Sequence, residues 1–239
     1  VCFTSDPWTN WSNITDANEE QAMSPTIQEQ SEQVQAAAAE RLPAEVVATF
    51  TRDREAMLER GNPTDAVAAG DLLQDFTLPD ATGKDVSLSD LVADGPTVLV
   101  FYRGGWCPYC NLALHQYQSE LVPQLARFGA RLAAISPQQP DESLSTAEKH
   151  SLQFPVLSDA GARIARRMGV TFEPAQEVLE AQRALGVDIR DGNADGATEL
   201  PMPTVLVVDR DRVVRLADVH PDYATRTEVD TIVSALAEL

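Results

Sequence analysis

Residues 98–114, VLVFYRGGWCPYCNLAL, constrain this chain more than any other stretch. The apolar run over residues 97–102 does not alternate, so it reads as a strand covered on both faces. Arg103, Gly104 and Gly105 turn the chain, and Trp106-Cys107-Pro108-Tyr109-Cys110 opens a helix. Two thiols three positions apart at a helix start face the same way and can close a small disulfide. The free N–H groups and dipole of a helix N-terminus favour a thiolate there. The arrangement points to thiol redox chemistry.

The flanking sequence supplies a frame for that turn. Leu114, Tyr117, Leu121, Leu125 and Phe128 recur at helical spacing up to Gly129, and residues 131–136 read as a second buried strand. The unit is therefore β-α-β. Its crossover is right-handed, its strands are parallel, and the cysteines sit at the carboxyl edge where sites form. Downstream, residues 143–151 and 160–169 read as short helices. Residues 173–185 are helical in composition and lead into an acidic, glycine-bearing loop over 188–196, an insertion placed as a lid near the site. Runs over 205–209 and 213–219 form an antiparallel hairpin, and 224–239 is a last amphipathic helix.

Upstream, residues 1–22 are polar and aperiodic, and are expected to be a disordered tail translated ahead of Met23; Cys2 lies there and has no role. Residues 23–66 form a helical extension. One helix starts near Thr26 and breaks at Pro43; a second carries Val46, Val47, Phe50, Met57 and Leu58 and stops at Gly61-Asn62-Pro63. It packs on the flank of the core or forms a homodimer contact, and the flank is the simpler reading. Residues 67–239 form the main domain. It begins with short β structure over 70–91, where Ser89 reads as a helix N-cap.

Bulk properties narrow the function. At 239 residues the chain can bury one core plus a helical appendage. A net charge of −19 argues against nucleic acid and anionic membrane surfaces as partners. No apolar run nears the roughly 20 residues that span a bilayer, and the N-terminal stretch lacks a secretory pattern, so a cytoplasmic location is expected. Three cysteines make no disulfide framework. Zinc needs four ligands, and His115, His150 and His220 are scattered, so neither metal nor other cofactor is expected. His115, eight residues past Cys107, reads as a surface or packing histidine.

The element order, with CxxC on a helix start and a later Pro-Thr before a hairpin, resembles the thioredoxin fold. The N-terminal β segment and the insertion are closer to the peroxiredoxin branch. The phrase F-Y-R-G-G-W-C-P-Y-C-N resembles the peroxiredoxin-like members of the alkyl hydroperoxide reductase/thiol-specific antioxidant family, over residues 71–239. The resemblance implies an α/β thioredoxin-like fold, a central mixed sheet flanked by helices. It also implies a peroxidase for hydrogen peroxide or organic hydroperoxides, reset by thioredoxin or a similar dithiol. A free thiol is only about 3% thiolate at pH 7, and Cys107, at the helix start with Arg103 nearby, is best placed to exceed that. Cys107 would become a sulfenic acid and Cys110 would resolve it to a disulfide. Trp106 would support the pair. By the same resemblance Pro203, between Met202 and Thr204, matches a cis-proline opposite the CxxC that would leave the Met202 backbone free for an extended substrate.

The departures are specific. Val100 and Gly104 stand where peroxiredoxins carry Pro and Thr or Ser. Met202-Pro203 occupy the neighbourhood of their site arginine, for which Arg103 is the substitute. Phe101 replaces the buried acid of thioredoxin, and Pro108-Tyr109 replace its Gly-Pro. A disulfide reductase using the same pair, and a non-catalytic redox sensor, therefore remain open.

Overall fold

The computed structural model describes residues 24–239; the tail 1–22, with Cys2, and Met23 lie outside the described residues. Helix α1 (Ile27–Arg41) starts from a capping box in which Thr26 accepts from the Glu29 N–H and Glu29 accepts from the Thr26 N–H. Two further N–H groups, of Ile27 and Gln28, donate to the Glu228 carboxylate at 3.0 and 2.8 Å. Pro43 separates α1 from α2 (Ala44–Arg60), which ends at Gly61 with φ +68°. Ile27 is fully buried among Leu114, Tyr117 and Ile232, and Met57 among Phe172, Leu179 and Tyr223. The extension thus packs on the flank of the main domain.

The main domain begins with an antiparallel pair, β1 (Thr77–Pro79) and β2 (Asp85–Ser87). Ser87, not Ser89, caps helix α3 (Leu88–Val92), because the Ser-x-x-Asp box begins at Ser87 and closes on Asp90. Ser89 lies inside the helix and donates its hydroxyl to Asp75. Strand β3 (Thr97–Phe101) is buried at every position. The helical run after it is α4 (Pro108–Gln116), a π turn over Tyr117–Leu121, and α5 (Val122–Leu125), closed by Gly129 at φ +60°. The ladder widens just before Pro123, which has no N–H to offer; the Val122 N–H reaches back to the Tyr117 carbonyl.

Strand β4 (Arg131–Ser136) lies parallel to β3, as the β-α-β reading requires. Then follow α6 (Pro140–Lys149), β5 (Val156–Ser158), α7 (Arg163–Arg167), β6 (Thr171–Phe172), α8 (Gln176–Ala184), α9 (Ile189–Gly192) and β7 (Leu200–Pro201). Strands β8 (Thr204–Val208) and β9 (Val214–Val219) form the expected hairpin, and α10 (Val229–Ala237) ends the fold. The sheet runs β5-β4-β3-β8-β9, parallel on the β5 side of β3 and antiparallel on the other. Apolar side chains of α1, α4 and α10 cover one face; those of α3 and α7 cover the other.

The last helix is shorter than the sequence reading made it. The last helix starts only at Val229, because Asp222 captures the Ala224 N–H and the Thr225 N–H bonds the Asp222 carbonyl. Residues 222–228 are therefore a fixed turn rather than a helix.

Removing most of the fully buried Ile27 side chain tests how firmly the extension belongs to the core. Ile27→Ala is expected to cost about 2–5 kcal/mol, read as a lower urea midpoint for the whole transition. An unchanged midpoint would mean that α1 melts independently.

Candidate active site

The loop between β3 and α4 is held in a shape that demands its two glycines. Gly104 has φ +152°, and a Cβ there would lie 2.5 Å from Trp106 Nε1; one on Gly105 would meet Thr146 Oγ1 at 2.4 Å. The Gly105 N–H donates to Gln138 Oε1 at 2.7 Å, while Asn111 Nδ2 donates to the Gly105 carbonyl at 2.8 Å. Cys107 follows as the N-cap of α4, its N–H on the Gly104 carbonyl, and Cys110 lies in the first turn. Both thiols are free and each is only 1% exposed.

Arg103 and Trp106 sit beside the pair, as expected. The buried Arg103 guanidinium stacks between two rings, 4.2 Å from the Tyr223 centroid and 4.8 Å from that of Trp106. Its backbone, not its side chain, hydrogen-bonds Cys110.

The decisive cation was not read from the sequence. Arg226, in the turn before α10, points Nη2 at Cys110 Sγ at 3.0 Å and at Cys107 Sγ at 3.9 Å. Its Nη1 is held by the carbonyls of Tyr223 (2.7 Å) and Thr225 (2.5 Å). Among the described residues no carboxylate hydrogen-bonds this buried guanidinium, so sulfur must serve as its anion. Burial opposes charge on Cys110, yet the Cys107 thiol, Arg226, Arg103 and the Arg103 backbone together hold it well below an ordinary thiol. Burial and the hydrogen bond to Cys110 push Cys107 well up. The two thiols titrate as one pair, with the Arg226 guanidinium nearer the Cys110 sulfur than that of Cys107.

The expectations at Met202 and Pro203 need correcting. Every peptide bond among the described residues is trans, that before Pro203 included. Nor is the Met202 backbone free. The pairing of β6 with β7 continues through its N–H to the Val170 carbonyl at 2.8 Å, and its carbonyl accepts from the Thr204 hydroxyl at 3.0 Å. Met202 contributes an apolar wall shared with Tyr223 and Trp106, while Pro203 and Thr204 are buried scaffold. His115 is exposed, as expected.

Beside Trp106 a cleft of about 410 Å³ opens between α6 and residues 186–192, with Asn111, Gln138 and Thr146 in its lining and Glu142, Asp188 and Asp191 adding negative charge. The insertion expected as a lid is one wall of this cleft. It is pinned by the Gln139 N–H on the Gly192 carbonyl and the Ala194 N–H on the Pro137 carbonyl.

A mixed sheet with a CxxC pair at the helix start after its central strand defines a protein of the thioredoxin-like fold. With the AhpC/TSA family model matching residues 69–217, the chain belongs to that family. It is 33% identical to peroxiredoxin Bcp of Escherichia coli over 106 residues, 44% of this chain and 66% of that protein. It is 30% identical to the thiol-disulfide oxidoreductase ResA of Geobacillus thermodenitrificans over 116 residues, 48% of this chain and 65% of that protein. The chain thus spans just under two thirds of these curated relatives. Among solved structures, peroxidoxin BcpB of Mycobacterium tuberculosis superposes with a TM-score of 0.56 at 26% identity, covering 72% of this chain and 98% of that one. Arg226 and the helical extension both lie outside the family-matched residues. No helix among the described residues is long and apolar enough to cross a membrane.

Replacing Arg226 by Gln removes the nearest positive charge from the thiolate. Its titration, followed by thiolate ultraviolet absorbance, is expected to move up by about one to three pH units. Because Cys110 is more acidic folded than unfolded, its contribution to stability is complete above about pH 8.5 and is lost as pH falls through the folded value. An Arg226→Gln protein that titrates like wild type would dissociate Arg226 from the thiolate.

Proposed function

We propose that this protein is a thiol peroxidase that reduces hydrogen peroxide or organic hydroperoxides through Cys107 and Cys110. The observation that carries this reading is the Arg226 guanidinium within 3.0 and 3.9 Å of the two sulfurs of a family-matched CxxC pair. Cys107 passes its proton to the Cys110 thiolate and attacks one peroxide oxygen. The O–O bond breaks, Cys107 becomes a sulfenic acid, and the other oxygen leaves as water or alcohol, taking from Cys110 the proton that Cys107 had passed to it. Arg226, 3.9 Å from the Cys107 sulfur, would stabilise the thiolate that attacks. The Cys110 thiolate then displaces hydroxide from the sulfenic sulfur, a disulfide forms, and the hydroxide takes a proton from solvent and leaves as water. Thioredoxin or a similar dithiol restores both thiols by exchange, which suits a cytoplasmic location.

Cys107 is assigned the attack because it caps α4 beside Trp106 and the cleft, whereas the Cys110 sulfur is enclosed by three donors. Likeness to a protein named as a thiol-disulfide oxidoreductase favours a second reading, reduction of protein disulfides by the same pair.

Cys107→Ser is expected to abolish peroxide consumption. Cys110→Ser is expected to accumulate a dimedone-reactive sulfenic acid on Cys107 and to stop after one turnover. Wild-type peroxide consumption by Cys107→Ser would overturn the assignment. Insulin reduction without peroxide consumption would favour the disulfide reductase.

A further inference from the structure

The family-matched part of the chain does not hold Arg226 by itself, because the turn that carries this side chain is fastened from outside. Asp222 begins that turn. Its Oδ1 accepts the Ala224 N–H at 2.9 Å and its carbonyl accepts the Thr225 N–H at 3.0 Å. These bonds set the carbonyls of Tyr223 and Thr225, and those two carbonyls grip Arg226 Nη1. The Asp222 carboxylate is itself gripped from α2. Arg54 donates Nε to Oδ1 and Nη2 to Oδ2, each at 2.7 Å, with its remaining Nη1 on Gln35 of α1 at 2.6 Å. That is a two-pronged pairing of guanidinium with carboxylate, which fixes orientation as well as distance. The far end of the turn is fastened too, since the Glu228 carboxylate accepts the first N–H groups of α1.

The same helix reaches the site a second time. Asp53, beside Arg54 on α2, faces Arg103 and Tyr223, the ring on which Arg103 stacks.

We propose that the N-terminal helical pair is a clamp for the thiol site, with Arg54 a positioning residue that acts through Asp222 and the 222–226 turn to aim Arg226 at the Cys107–Cys110 pair. Arg54 touches neither sulfur nor substrate in this scheme. The inference rests on the thiol-redox reading of the pair but is separable from the identity of its oxidant.

The test is the thiolate titration, measured by ultraviolet absorbance and by iodoacetamide alkylation against pH, without any peroxide. Arg54→Met is expected to raise the apparent thiolate pKa by about one unit, which makes alkylation about tenfold slower at pH values below the wild-type titration. Arg54→Lys keeps the charge but loses the fork, and is expected to recover part of that shift. The discriminating measurement is the double variant. If Arg54 acts only through Arg226, adding Arg54→Met to Arg226→Gln moves the titration no further. A residue that merely supports the fold would lower the melting temperature and leave the titration in place.

Arg54→Met leaves a buried carboxylate unpaired. Should that variant not fold, Arg54→Met/Asp222→Asn removes both charges and takes the same measurements. A folded Arg54 variant with the wild-type titration, or a shift additive with Arg226→Gln, overturns the clamp. Failure of the peroxidase reading looks different: wild-type protein would show the depressed thiolate titration and its Arg54 dependence while consuming no hydroperoxide.

Discussion

A guanidinium carried into a protein interior needs an anion beside it, and here sulfur is that anion. Opposite unit charges about 4 Å apart attract by about 4 kcal/mol at an effective dielectric of about 20, worth roughly three pKa units. Burial of two thiols that are each 1% exposed works in the other direction. Hydrogen bonds decide the balance: Arg226 at 3.0 Å, the Cys107 thiol and the Arg103 backbone all converge on Cys110. Without them the pair would be two inert buried thiols.

The rest of the scaffold can be understood as what keeps this contact in register. The carboxyl edge of β3 delivers the loop, and Gly104 and Gly105 let it fold tightly against Trp106 and Thr146. On the other side, Tyr117 donates its hydroxyl to the Thr227 carbonyl at 2.7 Å from within the π turn. His220 bridges Asp218 and Thr225. The turn bearing Arg226 is thus anchored from the helix below, the strand behind and the extension above.

The β-α-β unit, the β8–β9 hairpin and the helical extension were legible because each is written in local signals: unbroken apolar runs, helical spacing, Pro43 and Gly61. The thiol pair was legible for the same reason. The order of strands across the sheet and the short edge strand β5 were not, since both depend on long-range pairing. Nor was Arg226. It meets Cys110 across 116 positions, and reading residues 224–239 as one helix placed it on an ordinary amphipathic surface. Asp222, with the Thr-Arg-Thr-Glu sequence after Ala224, was the available sign that a turn precedes the helix. The lost cis-proline has a different cause. A family habit was transferred to Pro203, whereas here the β6–β7 pairing runs on into Met202 and occupies the backbone that habit would have freed. Arg103 is the intermediate case, found near the pair as expected but stacked on aromatic rings instead of aimed at sulfur.

The distance along the chain between the cysteines and their cation has a bearing on biosynthesis. A ribosome releases Cys107 and Cys110 more than a hundred residues before Arg226, and α1 waits some two hundred residues for the Glu228 carboxylate that caps it. Contacts so remote in sequence close late in folding. Until the last turn emerges, the nascent thiols have the protonation of ordinary cysteines. A peptide that stalls or is cut before residue 226 carries the complete motif without the charge that makes it acidic.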